Sequence, residues 1–297
     1  MSRTVSPSTN QPYGVARVVS IWDLSRSSFY AARDRERNPR PLQKRGPKVI
    51  SGAELLSAIR QLLDEAVFAG EGYRKIWARL RHKGIRTSKD RVNRLMRENQ
   101  LLSPYRQPSP VVDQLHDGVI ITDQPNLMWG TDATATFTAR DGAVTVFAAI
   151  DHCTAECVGI HAVKKASRFE ALEPIRQGVR ERFNGFGQGA AAGLWLRHDH
   201  GSVYMSDDFQ NEIRFLGIEP SPAFVREPEG NGCIERFFRT LKEQLIWVRP
   251  FRDLDGLQTA LLEFRHRYNH SWIIGRLGYR TPLQARLDFT VALPEAA

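Results

Sequence analysis

Between residues 50 and 100 the apolar positions repeat at intervals of three and four. Leu55, Leu56, Ile59, Leu62 and Leu63 mark one helix, Tyr73, Ile76, Trp77 and Leu80 a second, and Val92, Leu95 and Met96 a third. Such spacing returns side chains to one face of a 3.6-residue helix. Gly84 stands where the second helix should close, and Thr87 or Ser88 where the third should be capped. A shorter apolar pattern over 15–22, followed by a serine-led stretch from Ser25, predicts two short helices joined tightly. They fit either part of a helix-turn-helix or a simple amphipathic arm. From residue 127 the period changes. Runs at 127–137, 143–150 and 157–163 read as strands, the first two joined at Asp141-Gly142, a strong hairpin signal. A helix at 168–183, a strand at 193–197, a short helix at 206–216, an amphipathic helix from about 231 and a helix at 254–269 follow. Three strands and then alternating helix and strand predict an α/β layered core.

The helix from about 231 carries a sharper pattern. Ile234, Phe237, Phe238, Leu241, Leu245 and Val248 form one apolar stripe, which should face the core. Glu235, Arg239 and Lys242 fall on the neighbouring stripe, because offsets of four and seven return to one face, and Asn231 extends that stripe backwards. Alone, Glu235 and Arg239 would be an ordinary surface pair.

Prolines divide the chain. Pro39, Pro41 and Pro47 stiffen 35–48, and Pro104, Pro108 and Pro110 stiffen 103–110. The expected organisation is a basic arm at 1–48, a helical helix-turn-helix-like segment at 49–110, the α/β core at 111–290 and a tail at 291–297. Charge follows these divisions. Residues 1–110 hold 22 Lys/Arg against 9 Asp/Glu, and residues 111–297 hold 20 against 24. The whole basic excess of the chain, +9, therefore lies in the first third. That is the electrostatic footprint of a nucleic-acid partner rather than of an enzyme of small metabolites. The third helix of this region carries Lys89, Arg91, Arg94 and Arg97, and the second carries Arg74 and Lys75. A basic helix after a short turn can enter a major groove or touch phosphates only.

The three cysteines, an odd number without paired spacing, argue against a disulfide framework and for a reducing compartment. His152, Cys153 and Cys157 lack a second ligand pair nearby and read as buried or turn residues rather than a zinc site. The first ten residues are polar, with no secretory signal, and no apolar run approaches a membrane span.

Three acidic residues remain as candidate chemistry. Asp132 sits in the first strand, Asp199 follows the strand at 193–197, and Glu235 lies on the amphipathic helix. Carboxylates from two strand ends and a helix suit a pair of hard divalent cations, which can clamp both oxygens of an in-line phosphodiester displacement. Strand ends in α/β sheets commonly border the ligand crevice. Gly201 should let the backbone turn away after Asp199, and Ser202 and Tyr204 should position either DNA backbone or the next helix. His198 and His200 are outside the expected ligand set. Asp151 reads as a turn residue, Asp207 and Asp208 as helix-start acids, and Glu227 and Glu229 as loop residues.

At these residues the chain resembles the DDE transposases of bacterial insertion sequences, whose catalytic core is similar to retroviral integrase. The likeness spans 50–290 and rests on Asp132 in a first strand, Asp199 before Gly201-Ser202-x-Tyr204, and Asn231-x-x-x-Glu235-Arg236-Phe237. The chain departs from the common family string at His200 and at Trp272-Ile273-Ile274. The resemblance implies a ribonuclease-H-like core, Asp132, Asp199 and Glu235 as catalytic ligands of two Mg²⁺ or Mn²⁺ ions, and double-stranded DNA, both element ends and target, as substrate. It implies a cation at Lys242 contacting the DNA end, with Arg239 and Asn231 beside it. It also implies homo-oligomeric synapsis, an upstream-reading-frame partner protein, and a cytoplasmic, nucleoid-associated bacterial setting. Two alternatives stay open on sequence: a ribonuclease-H-like nuclease that cuts without joining, and a transposon-derived regulator that only binds DNA.

Overall fold

The structure, a computed structural model, describes residues 3–38, 50–104, 120–183, 185–223 and 231–292. It divides into two units, Met1–Val49 and Ile50–Ala297. Most of both proline-rich stretches lies outside the described residues, as do Glu227, Glu229 and 293–297.

In the first unit, helices α1 (Gly14–Ile21) and α2 (Arg26–Arg37) form where the pattern predicts. Ser25 caps α2 by accepting the Ser28 N–H at 3.1 Å. The pair has little core of its own. Val19 is its one buried position within these helices, and Ile21, Trp22 and Tyr30 are exposed.

The second unit begins with three helices, α3 (Gly52–Asp64), α4 (Tyr73–His82) and α5 (Lys89–Glu98). A capping box of Ser51 and Glu54 starts α3, and Ser88, not Thr87, caps α5. Their shared core is Leu55, Ile59, Leu62, Ile76, Leu80, Val92 and Met96, the expected stripes. This subdomain docks on the α/β core. Phe68, between α3 and α4, is buried edge-on against Phe264 and Trp272. Glu71, fully buried in its side chain, takes both arms of the Arg79 guanidinium at 2.6 and 2.7 Å, and Arg79 also reaches the Ser271 carbonyl at 3.2 Å.

The core is a five-stranded sheet of β1 (Met128–Thr138), β2 (Gly142–Asp151), β3 (Cys157–Val163), β4 (Trp195–His198) and β5 (Glu219–Pro222), in the order β3-β2-β1-β4-β5. The first three strands are antiparallel, and β4 and β5 join parallel to β1. Thr138 pairs with Gly142, so the hairpin loop has three residues rather than the two of a tight Asp-Gly turn. Along β2 alternate residues serve two layers. Val144, Val146, Ala148 and Ile150 join the cluster beneath α8 (Gly232–Leu241) and α9 (Leu254–Ser271), whereas Phe147 and Ala149 join the opposite cluster beneath α6 (Arg168–Arg182) and α7 (Asp207–Phe215).

Three features depart from the periodic reading. β5 carries Pro220 and Pro222, poor ladder donors tolerated because it is an edge strand. A final helix, α10 (Pro282–Ala292), follows the expected elements. And α8 runs on into a π turn, Lys242–Ile246, closed by the Trp247 N–H on the Lys242 carbonyl at 2.8 Å. The wider turn ends the α register. Leu241 and Leu245 are buried as expected, but Val248 lies beyond the helix, 66% exposed, and is not part of the core stripe.

Candidate active site

β1 and β4 run side by side in parallel, with Gly130 opposite Arg197. Asp132 and Asp199 each follow that last pair by two residues, Asp199 just past the end of β4, and the charge of Asp199 acts on Asp132. α8 crosses the same face of β1 and contributes Glu235. Its Cys233, Ile234, Phe237, Phe238 and Leu241 are buried, whereas Glu235 and Arg239 are exposed, so the core stripe fixes the acidic stripe outward.

Asp132 carries the electrostatic signature of the site. Burial pushes its carboxyl up to about 6, and the negative charges of Asp199 and Glu235 push the same way. The Ala133 N–H, donated at 2.7 Å, and the Lys242 ammonium oppose them. Asp132 thus feels both other carboxylates and the lysine. Its Oδ1 accepts that N–H, and Asp199 Oδ1 accepts the Gly201 N–H at 2.9 Å. Among the described residues nothing hydrogen-bonds Oδ2 of either aspartate or either oxygen of Glu235, and no ion pair joins Glu235 to Arg239. These uncommitted oxygens form an all-oxygen donor set, which suits Mg²⁺ or Mn²⁺. They are not drawn together: among the described residues no three His, Cys, Asp or Glu side chains stand close enough to hold one metal ion.

Two glycines make the arrangement fit. A Cβ on Gly130 would stand 2.7 Å from both Asn231 Oδ1 and His152 Nε2, so only glycine lets the start of α8 settle against β1. A Cβ on Gly201 would stand 2.9 Å from Asp199 Oδ1. Gly201 therefore leaves room for the carboxylate and donates to it, rather than supplying a left-handed turn. His198 is buried, with Nδ1 2.7 Å from the Asp199 carbonyl, and stacks on Tyr204. Tyr204 is buried against Phe209 of α7, so it positions the helix and not DNA backbone.

The expected DNA contacts divide. Lys242 is half-buried at the first position of the π turn, and its charge reaches Asp132. Asn231 is corrected. It is 8% exposed and donates to the Thr131 carbonyl at 3.2 Å, a strut between α8 and β1 rather than an outward contact. Its place four residues before Glu235 follows the stripe, but it sits at the N-cap, where the chain has left the helical path. In the helical subdomain three cations are used inside the protein. Lys75 lies over the Trp272 ring, Lys89 over Trp77 at 4.5 Å, and Arg91 donates to the Ile50 carbonyl at 2.7 Å. Arg74, Arg94 and Arg97 are exposed, Arg74 against Tyr73 and Arg94 3.8 Å from Glu98.

Other acids have structural roles. Asp151 accepts from Asn126 N, Thr154 N and Thr154 Oγ1 at 2.7–2.9 Å, holding the β2–β3 turn. Asp208 pairs with Arg168. Burial pushes the Cys153 thiol up to about 11 and that of Cys157 up to about 12, which keeps both as neutral thiols. Sequence reasoning missed Glu156, fully buried between Arg182 of α6 and Arg286 of α10. No local pattern marks it, because its partners lie 26 and 130 residues away.

Comparison with known proteins agrees with this architecture. The HTH-like domain family matches residues 53–109, and the Integrase core domain family matches 216–282. The chain is 31% identical over 218 residues to Transposase InsD for insertion element IS2A/D/F/H/I/K of Escherichia coli, covering 71% of each chain. It matches Transposase InsD for insertion element IS2-9 of the same species equally, over 71% of this chain and 70% of that one. Among solved structures it is similar to the catalytic core domain of BIV integrase, at 18% identity and a TM-score of 0.41, over 56% of this chain and 97% of that one. It is likewise similar to the HTLV-2 integrase catalytic core domain in complex with magnesium, at 17% identity and a TM-score of 0.41, over 55% and 97%.

Proposed function

The chain belongs to the transposases of bacterial insertion elements, and on that premise we propose that Asp132, Asp199 and Glu235 carry its polynucleotidyl transfer, cleaving element ends and joining them to target DNA. The observation that supports this most directly is the conflict at Asp132, a carboxyl raised to about 6 by burial and by two neighbouring acids. The charges of Asp199 and Glu235 act on Asp132 without the three carboxylates being gathered, and a cation entering among them would relieve that repulsion and draw them in. The donor set fits a pair of Mg²⁺ or Mn²⁺ ions held by Asp132, Asp199 and Glu235. When bound, the ions supply activation of the attacking oxygen and stabilisation of the leaving one.

The protein's own groups do the rest. The rigid β1 strand and the α8 core stripe hold two of the carboxylates, and the Gly201 N–H orients the third. Lys242 and Arg239, on the stripe of Glu235, hold DNA phosphate without competing for the metal. Arg74, Arg94 and Arg97 supply phosphate contacts from the helical subdomain. No serine or tyrosine nucleophile is required. Homo-oligomeric synapsis and an upstream-frame partner belong to the same proposal. Among the described residues no helix is long and apolar enough to cross a membrane.

Strand cleavage and strand transfer on a duplex bearing an element end test this reading. Asp132→Asn, Asp199→Asn and Glu235→Gln should each abolish both steps while DNA binding is kept. Normal joining by any of the three would overturn the assignment. Cleavage without joining by the wild-type chain would favour the nuclease alternative.

A further inference from the structure

α8 presents a second functional stripe. Cys233, Arg236 and Thr240, at spacings of three and four, lie on one face beside that of Glu235. They border a cavity of about 220 Å³ between α8, the end of α9 and the chain that follows it. Trp272 and Ile274, where this chain departs from its family string, form part of the apolar wall.

The polar groups of this cavity share one bias. Arg276 is held at its rim by donating to the Cys153 carbonyl at 2.8 Å and the His152 carbonyl at 3.0 Å. Arg236 has no ion pair among the described residues, and no acidic residue lines the space. Tyr268 is 4% exposed, stacked between Phe264 and Trp272, and lines the cavity with a hydroxyl that no described residue hydrogen-bonds. A polar ligand edge can meet that hydroxyl. The volume is below the roughly 300 Å³ at which drug-sized sites begin, so it holds one ring and not two. Two cations without an acid select an anion, and the wall of Ile120, Ile274 and the rims of the Tyr268 and Trp272 rings, whose faces are taken by Phe264, by each other and by Lys75, selects an apolar ring edge.

We propose that this cavity takes one unstacked nucleotide, with its base between Ile120, Ile274 and the ring edges of Tyr268 and Trp272 and its phosphate on Arg236 and Arg276. Arg236 is adjacent to Glu235 in the chain, so a strand lying along the acidic stripe has its next nucleotide within reach of the cavity. That source, a DNA strand end, rests on the proposed function. A free nucleotide has the same chemistry.

Binding measurements with the full chain, in chelator so that no chemistry occurs, separate these sources. The probes are a blunt duplex, the same duplex with one unpaired terminal deoxycytidine, that duplex with an abasic overhang, and deoxycytidine monophosphate. The overhang should bind roughly tenfold more tightly than the blunt or abasic duplex, the scale of one base contact. Thr240→Phe, which fills the cavity, and Arg236→Ala, an exposed change that leaves the core intact, should each remove the advantage. Deoxycytidine monophosphate binding that Thr240→Phe removes, without any overhang preference, supports the cavity with a free nucleotide as its ligand. Equal binding of all duplexes with no mononucleotide binding overturns the proposal, and so does an overhang preference that survives both variants. Because no cleavage is read, loss of this preference would leave the carboxylate assignment standing, and inactive carboxylate variants should retain it.

Discussion

Replacing Asp132 by Asn should stabilise the metal-free protein. The carboxyl of Asp132 is raised from an ordinary 3.8 to about 6 by burial first, and then by Asp199 and Glu235. A raised carboxyl means that the charged form is disfavoured in the fold. The penalty is absent below 3.8, where folded and unfolded chains are both protonated. It grows as pH rises from 3.8 to about 6, where only the unfolded chain has ionised, and is complete above about 6. The gap corresponds to about 3 kcal/mol. Asn keeps the shape and can still accept the Ala133 N–H, but carries no charge. For a unit the length of Ile50–Ala297, each kcal/mol moves the melting temperature by about 2–4 °C. In chelator at pH 7.5, Asp132→Asn should therefore melt about 6–12 °C above the wild type. The gain should vanish near pH 4. Added Mg²⁺ should raise the wild type toward the variant and leave the variant almost unmoved, because ligand binding to the folded state adds stability. Scanning calorimetry at the two pH values, with and without Mg²⁺, reads all of this. A variant no more stable than wild type at pH 7.5, or equally stabilised at both pH values, would refute the claim that the three acids are held in conflict.

Lys242→Ala should weaken joining and end binding while Mn²⁺ affinity is kept, since the lysine acts on phosphate. Unaltered joining would make it an ordinary solvated side chain, and lost metal affinity would show that it shapes the carboxylate site. Gly130→Ala should push Asn231 and His152 away from β1, cost about 1–3 kcal/mol as overpacking does, and depress strand transfer although no acid has changed. Wild-type melting and activity would show that the close approach is dispensable. Deleting residues 1–49, which carry ten Lys/Arg against three Asp/Glu, should leave a folded protein with weaker DNA binding and a flatter salt dependence. Deleting 1–110 should unfold the remainder as well, because it removes Phe68 and the Glu71–Arg79 dock. Circular dichroism of the two truncations compares them, and equal cooperativity would contradict the docking argument.

Much of this protein was legible along the chain. Helices α3, α4, α5 and α8, the β1–β2–β3 meander and the serine caps follow from spacing and cap chemistry, which are local properties. The outward placing of Glu235 and Arg239 was also readable, since a helix with one apolar face fixes what lies beside it. Tertiary structure decided what distance along the chain hides. Asn231 lies on the acidic stripe by count, yet the strand opposite it lacks a Cβ at Gly130, and the amide is drawn inward. Lys75, Lys89 and Arg91 look like groove cations, but Trp272, Trp77 and the Ile50 carbonyl claim them within the fold. The π turn at Lys242–Ile246 breaks the α count and turns Val248 out to solvent. Glu156 finds its two arginines only when α6 and α10 have both been brought to the β2–β3 turn. Periodicity tells which face of an element is apolar. Which polar groups then meet depends on contacts between residues far apart in sequence, and those exist only once the sheet and its two helical layers have closed.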